Sequence, residues 1–101
     1  MQVLKLKSST NSGILTAAGT ALAANEARMS YKIQNLGQNP LFVKEGSGAS
    51  TSDFTYVLAK GTANDDGLGG SYDNGGESVY TGIVTVAGTS PRFVAAERTQ
   101  E

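Results

Sequence analysis

The chain has 101 residues, 39% of them hydrophobic, with 13 glycines and a net charge of −1, enough for one domain with a modest core. It contains no cysteine and no histidine, which excludes disulfides, thiolate metal sites, serine–histidine triads and the common zinc ligands. The charge balance leaves no basic face for nucleic acid, and no apolar run approaches the roughly 20 residues of a membrane-spanning helix.

From the N-terminus, Val3–Lys7 alternates, with Leu4 and Leu6 on one side and Val3, Lys5 and Lys7 on the other, as a strand does. The turn formers of "SSTNSG" interrupt it. The next piece, "ILTAAGTALAANEARM", is rich in alanine, yet Thr16, Gly19 and Thr20 weaken a helix and its apolar residues form no stripe. It reads as an irregular strand or extended arm, so residues 1–27 are expected to precede a domain spanning 28–98. The polar interruptions also break any continuous apolar stretch, so a secretory signal and export are not expected.

The most regular strand pattern is "RMSYKIQNL", with Met29, Tyr31 and Ile33 on one face and Arg28, Ser30, Lys32 and Gln34 on the other. "NLGQNP" supplies a reversal: Gly37 accepts positive φ, Asn35 and Asn39 tolerate left-handed backbone, and Pro40 extends Asn39. "LFVKE" resumes a strand with Leu41 and Val43 on one face, so a β-hairpin is expected across the turn. After the loop "GSGASTSD", "FTYVLA" aligns Phe54, Tyr56 and Leu58. Thr62–Ser78 then holds five glycines, four acids and almost nothing apolar, and reads as one long loop. "VYTGIVTVAG" places Tyr80, Val84 and Val86 in register, "GTSP" turns the chain, and "RFVAAE" makes the last strand.

Six or seven short strands without a buried helix predict an all-β protein, a small antiparallel β-sandwich or a barrel-like equivalent with an extended N-terminal arm. The expected core is Ile33, Leu41, Val43, Phe54, Leu58, Val84, Val86 and Phe93, each contributing roughly 1.5–3 kcal/mol when fully buried. So small a core favours support from partners, hence a homo-oligomer. Charge is polarised along the chain: residues 1–60 hold six Lys/Arg and three acids (+3), and residues 61–101 hold two and six (−4). Head-to-tail contact would use that polarity, although a scatter of solvated charge is the simpler account.

Candidate chemistry is sparse. Asp65, Asp66, Asp73 and Glu77, with Asn64 and Asn74, offer hard oxygen ligands, but their spacing fits neither an EF-hand loop nor a glycine-rich calcium repeat, and a solvated loop is the simpler reading. Nothing apolar surrounds these carboxylates to raise a pKa for acid–base work, and no glycine cluster leads into a phosphate-binding helix. Tyr31, Phe42, Phe54 and Tyr56 read mostly as core rather than as nucleic-acid stacking platforms. Tyr72, placed in the polar stretch, is the one aromatic expected to be exposed and the one candidate contact for a sugar. No catalytic, cofactor or metal site is expected, and the chain is not expected to be an enzyme.

Three segments, "YKIQNLGQNPLFVKEGSGAS", "VLAKGT" and "YTGIVTVAGTSPRFVAAE", together resemble a pattern of small structural proteins of tailed bacteriophages. The likeness runs from about Met29 to Glu97 and rests on turn and core residues. It implies a non-enzymatic β-sandwich protein of the virion, assembled in the host bacterial cytoplasm and without cofactors, most simply a capsid-decorating or cement protein of the head. The implied partners are the major capsid protein or other virion proteins, with neither nucleic acid nor membrane. Val3, Leu4 and Leu6 are the expected contact with a neighbouring subunit, so deleting residues 1–12 is expected to abolish particle binding and leave a folded domain. The alternative is a tail or fibre accessory that presents Tyr72 and the acidic stretch to a host glycan.

Overall fold

A computed structural model of the chain describes residues 6–100. Among the described residues there are eight strands: β1 (Leu6–Leu15), β2 (Gly19–Leu22), β3 (Arg28–Asn35), β4 (Leu41–Glu45), β5 (Tyr56–Leu58), β6 (Ser71–Gly75), β7 (Val84–Ala87) and β8 (Phe93–Gln100). They form two antiparallel four-stranded sheets packed as a sandwich, one ordered β1-β8-β3-β6 and the other β2-β7-β4-β5. The N-terminal segment thus supplies an edge strand to each sheet, β1 to the first and β2 to the second.

Alternation explains which faces meet. Tyr31 and Ile33 of β3 and Phe93 and Ala95 of β8 face inward from the first sheet. Ala21, Leu22, Leu41, Val43, Leu58, Val84 and Val86 meet them from the second. Every residue of the expected core is buried except Phe54, which is 41% exposed. Phe54 precedes β5 instead of lying on it, and the strand's alternation begins only at Tyr56, so the pattern shared with Tyr56 and Leu58 does not extend to it.

The expected hairpin across residues 35–40 does not form. β3 pairs with β8 and β6, whereas β4 pairs with β5 and β7 in the opposite sheet. The connection arches from one sheet to the other, and its backbone is held by Leu36 N–H donating to Arg92 O (2.8 Å) and Gly61 N–H to Gly37 O (2.9 Å). A hairpin and an arch need the same turn residues and flanking alternation, so the pattern alone does not choose between them. Burial of Asn35, whose side chain fills the arch, makes the choice here.

β3 also departs from simple alternation. Arg28 pairs with Thr99 and Ser30 with Arg98, leaving Met29 as an extra residue in a bulge. Arg28 and Tyr31, three apart, are therefore both buried, and Arg28 is inside where strict alternation puts it outside. The expected loop over residues 62–78 is likewise divided. Its second half is β6, paired along β3 from Ser30–Gly75 to Gln34–Ser71. Gly69 lets the chain enter that strand, since a Cβ there would sit 2.1 Å from the Asn35 carbonyl oxygen.

Candidate functional site

At the side of the sandwich bounded by the edge strands β5 and β6, four side chains from both sheets converge. The Tyr31 hydroxyl (β3) donates to Glu45 Oε2 (β4) at 2.5 Å. With that proton engaged, the Tyr56 hydroxyl (β5), 3.1 Å from Tyr31 Oη, is the donor of the second bond. The Tyr72 ring (β6) closes the group from outside, its centroid 4.3 Å from that of Tyr56 and 6.1 Å from that of Tyr31. Burial pushes the Tyr31 phenol well above its ordinary pKa, and its bond to the Glu45 carboxylate adds to the shift. Burial also raises Tyr56. Both stay protonated through the physiological range, so the chain from Tyr56 through Tyr31 to Glu45 is a permanent tie between sheets.

Tyr72 therefore does not sit on a free loop. It pairs in register with Ile33, stacks on Tyr56 and is 37% exposed. The signal was present in "SYDNG", where Tyr72 alternates with Ser71 and Asp73, but the surrounding glycines and acids hid it.

Two polar side chains of β3 hold the ends of the sandwich. Arg28 donates through Nε to Glu97 Oε1 (2.8 Å), through Nη1 to the carbonyls of Tyr80 (2.8 Å) and Gly82 (3.0 Å), and through Nη2 to Ala23 O (2.7 Å). Its guanidinium also lies 5.7 Å from the Tyr31 ring centroid. Seven residues on, Asn35 Nδ2 lies within hydrogen-bond distance of the carbonyls of Asn39 (2.9 Å), Ala59 (3.1 Å) and Leu58 (3.2 Å), and its Oδ1 accepts from Gly37 N–H (2.9 Å). Neither role is visible from alternation, because each partner is a backbone group or a residue distant in sequence.

The acids of residues 62–78 are put to separate uses. Asp66 accepts from Thr62 Oγ1 (2.6 Å) and from the backbone N–H groups of Thr62, Ala63 and Leu68 (2.8, 2.8 and 2.9 Å). The Thr62 hydroxyl and these amides hold its carboxyl well below the ordinary carboxylate range. Asp65 forms a two-pronged pair with Arg92 (2.6 and 2.8 Å), which lowers the acid and raises the guanidinium. Asp73 stands on β6 opposite Lys32, and Glu77 lies in the short 3₁₀ turn Gly76–Ser78. Among the described residues no three His, Cys, Asp or Glu side chains gather as a metal site.

The outer faces differ in character. Outside the first sheet, Ser30, Gly75 and Ala96 line a shallow hollow of about 480 Å³, with Lys32, Asp73 and Arg98 around it. Outside the second, Phe42 pairs across strands with Val57 on one side and Ala87 on the other. The Phe54 ring packs edge-on to Phe42, with centroids 5.0 Å apart. With Phe54 41% and Val57 48% exposed, this is a solvent-facing apolar patch, beside the Lys44–Asp53 ion pair.

Of the residues expected to touch a neighbouring subunit, Val3 and Leu4 lie outside the described residues, and Leu6 opens β1 opposite Gln100. β1 pairs with β8 from Leu6 to Leu15, with register shifts at Leu6/Ser8 and Asn11/Ile14. Ser12 Oγ accepts from Ala95 N–H at the second shift (3.0 Å). Deleting residues 1–12 therefore strips most of the β1 ladder from β8 along with any contact residues. Comparison of the chain with protein-family models, with curated proteins and with solved structures returns no significant match.

Proposed function

We propose that this protein is a non-enzymatic structural component of a bacteriophage virion, a decorating or cement protein that binds the outside of the head. The observation that carries the reading is the outward apolar patch of Phe42, Phe54 and Val57 on a sandwich whose strongest polar groups serve its own fold. Arg28, Asn35, Glu45 and Asp66 all make internal bonds that join sheets or close turns. A rigid frame with an aromatic outer patch suits binding to a surface, where burial of aromatic side chains supplies most of the affinity.

The resemblance to phage structural proteins supports the same reading, because its motifs fall on the frame. In "IQNLG", Ile33 is core, Asn35 fills the arch and Gly37 N–H donates to Asn35. In "YTG", the carbonyls of Tyr80 and Gly82 receive Arg28. The experiment is co-sedimentation of the purified protein with phage heads lacking it. Wild type is expected to sediment with the heads, and the Phe54→Ser, Val57→Ser double variant is expected to stay in the supernatant while remaining folded. Equal sedimentation of both would remove the patch from the account, and sedimentation of neither would remove the head assignment.

A further inference from the structure

We propose that Tyr56 and Tyr72 form an oxidative cross-linking site, at which a peroxide-driven one-electron oxidant joins the two phenols as dityrosine and staples strand β5 to strand β6. The two rings come from opposite sheets, with centroids 4.3 Å apart and planes inclined at 38°. That separation puts the two rings in direct contact, the approach that coupling between the ring carbons flanking the hydroxyls requires. The chain has no cysteine, so a disulfide cannot tie these two short edges, and the tyrosine pair is the chemistry available for a covalent staple there.

Access and proton transfer both suit the reaction. Tyr72 is 37% exposed and meets an oxidant from solvent, whereas Tyr56 lies beneath it. When Tyr56 loses an electron, its proton can pass to Tyr31 Oη, 3.1 Å away, as Tyr31 passes its own to Glu45 Oε2. Tyr72 releases its proton to water. Each phenol thus gives up one electron and one proton. The two radicals form a carbon–carbon bond between ring carbons ortho to the hydroxyls, and each displaced ortho hydrogen moves to its phenolic oxygen as the rings regain aromaticity. Hydrogen peroxide accepts the two electrons and two protons and leaves as two waters. Tyr31 is the poorer partner for Tyr72, because its centroid is 6.1 Å away and its hydroxyl is engaged with Glu45.

The test treats the dilute full-length protein with hydrogen peroxide and a haem peroxidase, followed by intact mass, dityrosine fluorescence and peptide mapping. Expected is a monomer lighter by two hydrogen atoms, fluorescent as dityrosine, with the peptide containing Tyr56 joined to that containing Tyr72. Tyr56→Phe and Tyr72→Phe keep both rings, so each should fold as wild type and lose the intramolecular product. The cross-linked monomer should also melt several degrees higher than the untreated one. A monomer of unchanged mass, a product consisting only of intermolecular dimers, or an intramolecular link that survives in Tyr56→Phe would each overturn the proposal. The outcome is independent of where the protein resides, so it can fail or succeed without affecting the virion reading.

Discussion

Arg28 and Glu97 form an ion pair of 2.8 Å at one end of the sandwich, with the arginine side chain wholly inaccessible and the glutamate side chain 17% accessible. The pair joins β3 to β8, and the remaining guanidinium donors reach three carbonyls in the segments following β2 and preceding β7. One side chain thus closes the end of both sheets, and a bulge at Met29 is what turns it inward.

Replacing Arg28 should be among the most damaging single changes. Arg28→Met leaves Glu97 without its ion-pair partner and three carbonyls without their donor, and breaking such a buried pair costs about 3–5 kcal/mol. Arg28→Lys should rescue little, because an ammonium cannot span the forked geometry that reaches four acceptors. Denaturant unfolding of both variants measures this, and a loss below about 1 kcal/mol for Arg28→Met would refute the clamp.

At the opposite end, Asn35→Asp should destabilise more than Asn35→Ala. Alanine removes the donor to three carbonyls, whereas aspartate directs a carboxylate at them. Each buried group left without a partner costs about 1–3 kcal/mol. The order of urea midpoints, wild type above Ala above Asp, checks the assignment.

Asp66 should confer an acid-sensitive contribution to stability. Its carboxyl titrates below the ordinary value of 3.8 when folded, so its contribution is complete above that value. It is then lost as pH falls from the unfolded value through the folded one. The stability difference between wild type and Asp66→Asn should therefore be constant at neutral pH and shrink below about pH 4. Chemical denaturation at several pH values reads this directly, and a difference that grows on acidification has the wrong sign.

Tyr72→Ala should remove the ring that covers Tyr56 and cost about 1–3 kcal/mol, while Tyr72→Phe should cost less than about 1 kcal/mol. Thermal melts separate the two. Equal, negligible effects would return Tyr72 to the freely exposed aromatic that its sequence neighbourhood suggests.

Much of the frame is readable from alternation alone. Ile33, Leu41, Val43, Leu58, Val84, Val86 and Phe93 occupy the buried positions that their periodicity predicts. What alternation does not carry is which strands pair. The turn at Asn35–Pro40 leads into the other sheet because Asn35 finds its acceptors at Asn39, Leu58 and Ala59, two of them more than twenty residues away. Alternation puts Arg28 on the wrong face for a related reason, since one extra residue in a strand reverses the face of everything beyond it. β6 is hidden in the sequence because its strand bonds are made by "SYDNG", whose composition favours turns and whose pairing comes wholly from β3. Apolar content alone points to Val3, Leu4 and Leu6 near the N-terminus, whereas the patch of Phe42, Phe54 and Val57 exists only through the pairing of β4 with β5.

The proposed virion role is tested most directly by quantitative mass spectrometry of purified phage particles, referenced to the major shell protein. A decorating protein is expected at on the order of hundreds of copies per particle, in a fixed ratio to the shell lattice it binds. A count in the range of a tail or fibre component, or absence from the particle, would contradict it.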